Sequence, residues 1–529
     1  MRTVSGLTKR RRTRAPDLLA LDLNCAIYHC VRLQQHDTPY ELKSKVTFED
    51  AVIKRTVAYI RQLDTHVAAR LLYVAVDGVA PMAKLKQQRM RRFKSAVTAE
   101  EEAAIKAATT DRSSGPRGKT ALPERWDTNA ITPGTEFMER LTEALYAFQE
   151  SNKGRVVVSP ADEAGEGEQK IMAYMRKNES YGDAVIYGLD ADLIILALYH
   201  NATRGTTVDL LREETEFGGG VKVDSRGEEQ FLYLDTTRLA DALYSTYGKP
   251  GQLRTAFLAD FVGAMSLQGN DFVPHGMGLT IKNEGIERVL EFLRAIPTPL
   301  VTQRTDKTAT YNVETLRAVV ARLAADEETQ ILSYSRKKLT QRGGQGATDV
   351  ERALARYQDQ PLEWRVEEAL VTGGKDKLRL RSGWAERYDE MALGSTKTAA
   401  PSVYCEALGW TLAYYAGAAV DSEWYYPWPL PPRFASLQSH LASLSAIPVP
   451  DAARPALTPK EQLAMVLPAS SYHLLPPEYK TLCSRNPWAF PVAWPVHSLG
   501  RRFLWECEPV IPLVSAPQIR RWIEEMEEP

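Results

Sequence analysis

Short apolar runs alternate with amphipathic stretches over the first part of the chain. Such alternation predicts a parallel sheet with helices on both faces. Functional sites in these sheets form beyond the carboxyl ends of the strands, so the residues that follow each strand are the first candidates. The predicted strands are 18–23, 71–76, 155–159 and 184–189, and the predicted helices between them are 48–63, 137–149 and 169–177.

The pattern changes along the rest of the chain. Residues 210–222 predict an edge hairpin with glycines in its turn, and residues 335–383, rich in Lys, Arg, Gly and Gln, predict a partly ordered linker. Nine of the ten tryptophans lie between Trp364 and Trp522. We therefore expect four segments: a flexible basic arm (1–15), an α/β region (16–334), the linker (335–383) and an aromatic-rich region (384–529).

Composition narrows the class of protein. The formal net charge is −1 with 25% charged residues, so any surface for nucleic acid must be a local patch. Five scattered cysteines without a CxxC pair argue for a reducing compartment and against a zinc knuckle. The chain shows neither an apolar run of about 20 residues nor a signal peptide. We expect a cytoplasmic or nuclear protein without a membrane partner, whose basic arm is a solvated tail, a nuclear signal or an RNA contact.

One helix concentrates positive charge. Six cations lie within residues 84–94, shortly after Asp77 ends the strand 71–76. Lys84, Gln88, Arg91 and Arg92 are spaced i, i+4, i+7 and i+8, so they share one helix face. This face predicts an anion pocket, while a solvated basic surface is an equally weighted alternative.

Acidic residues follow several of the predicted strands and helices. Two pairs have i, i+2 spacing, which puts both carboxylates on one side if the backbone is extended. Clustered carboxylates need a cation, and oxygen ligands favour Mg²⁺ over zinc. Two such ions about 4 Å apart would activate water against a phosphodiester, although a lone strand-end Asp is more often a helix cap. The acids are Asp22, Asp77, Glu166, Glu168, Asp190, Asp192 and Asp271.

Long motifs in both halves of the chain resemble those of the Xrn 5′→3′ exoribonucleases. The longest, at 75–96, reads AVDGVAPMAKLKQQRMRRFKSA and contains the basic helix. The resemblance covers residues 16–529 in the family's order. The other segments are 129–138, 165–171, 187–194, 211–214 and 269–275, followed in the second half by 383–388, 404–415, 424–427 and 457–476.

The resemblance implies a fold and an activity. The fold would be a PIN/flap-nuclease-like α/β domain, followed by a mostly helical, aromatic-rich region that packs around the active site. The activity would be processive, Mg²⁺-dependent decay of single-stranded RNA with a 5′ monophosphate, with Mn²⁺ as a substitute metal. The sequence leaves the oligomeric state open, and a monomer is the default expectation. The seven acids would be the catalytic metal ligands, and Lys84, Gln88, Arg91 and Arg92 would hold the 5′ phosphate.

The chain departs from the family at several points. The basic arm replaces the family's usual first segment, so a role in duplex unwinding that belongs to that segment does not carry over to this chain. Tyr28 stands where the family has a base-stacking histidine, and Trp424 is a second stacking candidate, with core packing as its equal alternative. The chain ends after the second conserved region, as expected of a compact, core-only member.

Two other functions remain as alternatives. A flap-type DNA nuclease uses a similar carboxylate cluster, but the aromatic second region and the complete basic-helix motif speak against it. An inactive RNA-binding scaffold is disfavoured because all seven acids are present.

Overall fold

A seven-stranded sheet organises the first half of the protein. The structure is a computed structural model that describes residues 6–40, 44–113, 125–178, 180–215, 220–303, 308–341, 343–374, 377–450, 454 and 456–527. The strand order is β1-β7-β6-β5-β2-β3-β4, with β2 to β6 parallel and β1 and β7 antiparallel to their neighbours. This confirms the predicted α/β class. The strands are β1 (Thr8–Lys9), β2 (Leu18–Asp22), β3 (Leu71–Ala75), β4 (Val156–Ser159), β5 (Asp183–Tyr187), β6 (Thr207–Glu213) and β7 (Phe231–Asp235).

Helices cover both faces of this sheet. Every residue of β2 is buried, which explains why its sequence, LLALD, is almost continuously apolar. Leu18 and Ala20 pack on one face, while Leu19 and Leu21 pack on the other. The helices of this half are α1 (Leu23–Asp37), α2 (Lys45–Val67), α3 (Met82–Ser113), α4 (Glu136–Glu150), α5 (Gly167–Lys177), α6 (Asp192–Arg204), α7 (Thr236–Tyr247), α8 (Arg254–Met265) and α9 (Gly285–Arg294).

The second half is mostly helical, as predicted. Its hairpins are short and pair β8 (Val301–Gln303) with β9 (Ala309–Tyr311), β10 (Val371–Thr372) with β11 (Arg379–Leu380), and β12 (Val496–His497) with β13 (Glu508–Pro509). No helix in the described residues is long and apolar enough to cross a membrane. The helices are α10 (Val313–Thr340), α11 (Asp349–Gln358), α12 (Gln360–Glu363), α13 (Trp384–Leu393), α14 (Ala400–Ala416), α15 (Phe434–Leu441), α16 (Pro459–Val466), α17 (Leu482–Arg485) and α18 (Ala516–Glu527).

The described part of the basic arm, from residue 6, differs from the flexible tail that the sequence predicts. Its strand β1 extends the sheet by pairing with β7. Arg12 forms ion pairs with Asp183 and Asp209, and the Asp209 side chain is only 2% exposed. A buried carboxylate needs a cation, so these acids of β5 and β6 bind the arm.

The predicted linker also contains ordered structure in its described residues. Helix α10 runs on to Thr340, and Leu370 and Val371 are buried. Lys338 and Glu367 form a buried ion pair. The turn of the predicted hairpin at 210–222 lies largely outside the described residues. Its flanks are joined by an antiparallel bridge between Thr215 and Val221. The four segment boundaries themselves stay predictions.

Candidate active site

A single cavity of about 340 Å³ lies at the carboxyl ends of the parallel strands. Asp22 ends β2, and Asp77 follows β3 by two residues. Parallel strands point the same way, so residues at their ends converge although they are far apart in sequence. Twelve of the predicted site residues line this cavity: Asp22, Tyr28, Asp77, Lys84, Gln88, Arg91, Arg92, Glu166, Glu168, Asp190, Asp192 and Asp271.

The condition that both residues of each i, i+2 pair lie on extended backbone is not met, because Glu166 is extended whereas Glu168 and Asp192 are helical. Glu166 precedes the first residue of α5, and Glu168 lies in its first turn. Asp192 is likewise the first residue of α6, two positions after Asp190. The positive end of a helix dipole stabilises carboxylates, which explains acids at both helix starts.

Gly167 allows the close approach of two acids. Its backbone N–H donates to Asp77 Oδ1 at 2.6 Å. A Cβ at this position would lie 2.6 Å from Asp22 Oδ1, closer than a side chain tolerates. Glycine is therefore required here by the approach of the Asp22 carboxylate to the start of α5.

Burial and mutual repulsion make the ionised acids unfavourable. Burial raises the pKa of Asp22 well above its usual value, and the charge of Asp77 adds to the effect. Burial, aided by Glu166, raises the pKa of Glu168 in the same way, and burial with Asp271 raises the pKa of Asp192 to about 6. Glu168 Oε1 is buried and has no hydrogen-bond partner among the described residues. Oxygen donors that repel one another fit a hard divalent cation.

Lys84 lies among these carboxylates. Its Nζ is 2.6 Å from Glu166 Oε2 and 2.7 Å from Asp271 Oδ2. Burial alone would lower the pKa of Lys84, but the charges of Glu166 and Asp271 outweigh it and raise that pKa well above its usual value. Lys84 therefore stays protonated and offsets part of the negative charge of the cavity.

The other cations of the predicted anion-binding face also border the cavity. Arg92 donates to Thr132 Oγ1 at 2.6 Å, and burial lowers its pKa only to about 10, so the guanidinium remains charged. Gln88 Oε1 is shielded from solvent without a hydrogen-bond partner in the part of the chain that the structure describes. The guanidinium groups of Arg91 and Arg92 suit a phosphate group, whereas Gln88 Oε1 could only accept a hydrogen bond.

Comparison with known proteins now gives the family. A family model described as the XRN 5′-3′ exonuclease N-terminus matches residues 2–214, and one described as the Xrn1 helical domain matches residues 302–528. Together they cover well over half of the chain. The chain belongs to the Xrn exonuclease family.

The curated relatives to which this Xrn chain is similar are all named 5′-3′ exoribonucleases. It is 26% identical to the 5′-3′ exoribonuclease 2 homolog of Drosophila melanogaster, over 95% of this chain and 65% of the relative. It is 27% identical to human 5′-3′ exoribonuclease 1, over 99% of this chain and 33% of the relative. The 5′-3′ exoribonuclease 1 of Saccharomyces cerevisiae is 35% identical over 49% of this chain and 17% of its own length. The Xrn chain thus spans less than two thirds of these relatives.

Two further cations of α3 in the Xrn chain, Lys86 and Arg89, bind its helical half. Arg89 is fully buried and donates to the backbone carbonyls of Met465, Ala489 and Pro512. Lys86 donates to the carbonyl of Tyr426 at 2.7 Å. The helix therefore presents one set of cations to the cavity and uses another set to hold the second half in place.

The structure separates the two stacking candidates. Tyr28 lines the cavity. Trp424 does not; its ring stacks on Trp410 with centroids 5.5 Å apart, and its Nε1 donates to Glu406 Oε2 at 3.1 Å. Trp424 thus packs on Trp410, and its role in base stacking stays a prediction.

Sequence reasoning missed the neutral donors around the acids. Asn24 Nδ2 donates to Asp77 Oδ2, and Gln87 Nε2 donates to Asp271 Oδ1, each at 2.8 Å. Asn24 had a signal, because it lies two residues after Asp22, just beyond the predicted strand 18–23. No sequence signal marked Gln87, because it is adjacent to Gln88 and therefore lies on a different face of the helix.

A second group of potential ligands lies outside this cavity. His29, Glu213 and Glu229 have ligand atoms within 4.8 Å of one another. His29 Nε2 and Glu229 Oε1 form a hydrogen bond of 2.7 Å, and Glu213 accepts from the hydroxyls of Tyr59 and Tyr187. These hydrogen bonds engage His29 Nε2, Glu229 Oε1 and Glu213, while Glu229 Oε2 has no hydrogen-bond partner among the described residues.

Proposed function

We propose that this Xrn-family chain is an exoribonuclease that removes nucleotides from the 5′ end of single-stranded RNA. The observation that carries the proposal is one cavity in which seven carboxylates face an arginine-rich helix. Carboxylates of this kind hold divalent cations, and arginines hold phosphate. The names of the relatives point to the same activity.

The acids are proposed to bind two Mg²⁺ ions, or Mn²⁺ in their place. When bound, such ions supply an activated water and stabilise the leaving oxygen of a phosphodiester. All seven acids are the proposed ligands, with Gly167 and Asn24 holding Asp77 in position. The product would be a nucleoside monophosphate.

The terminal phosphate is assigned to Lys84, Gln88, Arg91 and Arg92, and Lys84 also contacts two of the carboxylates. A 5′ monophosphate is the proposed substrate end, because the family resemblance implies that a cap or a triphosphate would overfill this phosphate pocket. Tyr28 would stack on a base beside it. We further propose that the chain degrades RNA processively, as a monomer in the cytoplasm or nucleus.

Three RNAs of one sequence test the proposal, carrying a 5′ monophosphate, a 5′ triphosphate or a cap. With Mg²⁺, the monophosphate RNA should release mononucleotides, the other two should decay at least about tenfold more slowly, and EDTA should stop all decay. A tenfold difference corresponds to about 1.4 kcal/mol, within reach of lost charge-assisted hydrogen bonds.

The controls separate the parts of the proposal. Equal decay of all three RNAs would contradict the phosphate pocket. Internal fragments in place of mononucleotides would contradict attack from the end. Preference for a flap DNA over single-stranded RNA would favour the structure-specific DNA nuclease.

A further inference from the structure

Two tyrosines of the helical half reach the carboxylates of the cavity. The hydroxyl of Tyr414 donates to Glu166 Oε1 at 2.8 Å, and that of Tyr415 donates to Asp192 Oδ2 at 3.2 Å. Both tyrosines belong to the last turn of α14, which ends before Gly417. One turn of this helix thus contacts the starts of both α5 and α6.

Packing fixes where these hydroxyls lie. The Tyr414 ring stacks on Trp410 with centroids 4.9 Å apart and meets Phe272 edge-on at 5.5 Å. The Tyr415 ring also meets Phe272, at 6.2 Å. Aromatic rings held in this way have little rotamer freedom, so each hydroxyl is presented in one place.

The hydrogen bonds restrict the carboxylates in turn. Glu166 accepts from Tyr414 through Oε1 and contacts Lys84 through Oε2, so both of its oxygens are held. Asp192 accepts from Tyr415 through Oδ2.

We propose that Tyr414 and Tyr415 are positioning residues that set the affinity of the cavity for divalent cations. Outer donors of this kind orient metal ligands, and their removal costs about 10- to 100-fold in metal affinity or activity. The helical half is then part of the metal site rather than a cover over it. This inference rests on the proposed function only in that the cavity binds a cation.

The test replaces each hydroxyl by hydrogen in the full chain, in the variants Tyr414→Phe and Tyr415→Phe. Tyr404→Phe is the matched control, because Tyr404 lies on the same helix, is buried and donates to the Pro274 carbonyl at 3.2 Å. Binding of Mn²⁺ is measured by electron paramagnetic resonance without RNA, and the Mg²⁺ concentration for half-maximal RNA decay is measured separately.

Tyr414→Phe should weaken Mn²⁺ binding by about tenfold or more. Tyr415→Phe should weaken it less, because its hydrogen bond is longer, and Tyr404→Phe should change it less than about twofold. Unchanged Mn²⁺ affinity in both test variants would overturn the inference, as would an equal loss in Tyr404→Phe or a wild-type chain that binds no Mn²⁺. A loss confined to the test variants, in a chain that does not degrade RNA, supports the inference while refuting the proposed function.

Discussion

Asp190 differs from the other six acids of the cavity because its side chain is exposed to solvent. An exposed side chain contributes little to packing, so its removal should leave the fold intact. Loss of activity in a variant at this position would therefore report on the chemistry of the site.

Asp190→Ala should lower the rate of mononucleotide release by about 100-fold or more, since even outer partners of a metal ligand are worth about 10- to 100-fold. RNA binding should be retained, because the phosphate-binding side chains are unchanged. Turnover and RNA affinity by fluorescence anisotropy are the two measurements. The control is Asp162→Ala, which removes an exposed acid that follows β4 outside the cavity. Full activity in Asp190→Ala would mean that the proposed metal ligands are wrong.

The sequence predicts residues of the cavity better than it predicts their hydrogen-bond partners. The acids are visible because they follow apolar strands or helices, and Lys84, Gln88, Arg91 and Arg92 because they repeat at helical spacing. Tyr414 is separated from Glu166 by 248 residues, so no local pattern connects them. The same holds for Gln87 and Asp271, which are 184 residues apart.

Helix α3 shows how far the sequence pattern predicts the structure and contacts of one helix. The sequence predicts a basic helix, and the structure extends it over 32 residues, a stretch without Gly or Pro. The roles of its cations divide by face. The contacts of the face that meets the helical half cannot be predicted from sequence. Their hydrogen-bond acceptors are backbone carbonyls, which every residue has, so no side-chain pattern marks them.

Arg89 provides the test of that division. Arg89→Ala should destabilise the protein by about 3 kcal/mol or more, because it leaves buried carbonyls unpaired and removes the guanidinium from between Phe93 and Phe490. Urea unfolding measures the change. Arg91→Ala, on the exposed side of the same helix, should change the free energy of unfolding by less than about 0.5 kcal/mol. Equal effects of the two substitutions would refute the structural role of Arg89.

At the scale of the whole molecule, an α/β half is followed by a mostly helical half, as predicted. The sequence did not reveal that the two halves share one hydrophobic core. One apolar cluster contains Leu18 and Ile186 of the sheet together with Trp410 and Leu437 of the helical half. Such contacts join segments several hundred residues apart, so the composition along the chain does not predict them. The predicted linker looked weakly apolar because few of its positions are buried.

The shared core predicts that both halves unfold together. A second cluster joins Phe93 of α3 to Leu463 and Trp522, so neither half keeps its apolar surface covered without the other. Tryptophan fluorescence reports mainly on the second half, which holds nine of the ten tryptophans, while far-UV circular dichroism reports on all helices. The two thermal curves should coincide in one transition, and Arg89→Ala should lower both midpoints equally.

Val492→Ala is the control for this prediction. Its side chain is 83% exposed, so the substitution should leave both midpoints unchanged. Two separated transitions, or a shift seen by fluorescence alone, would show that the halves are independent domains and that α3 does not bind them into one unit.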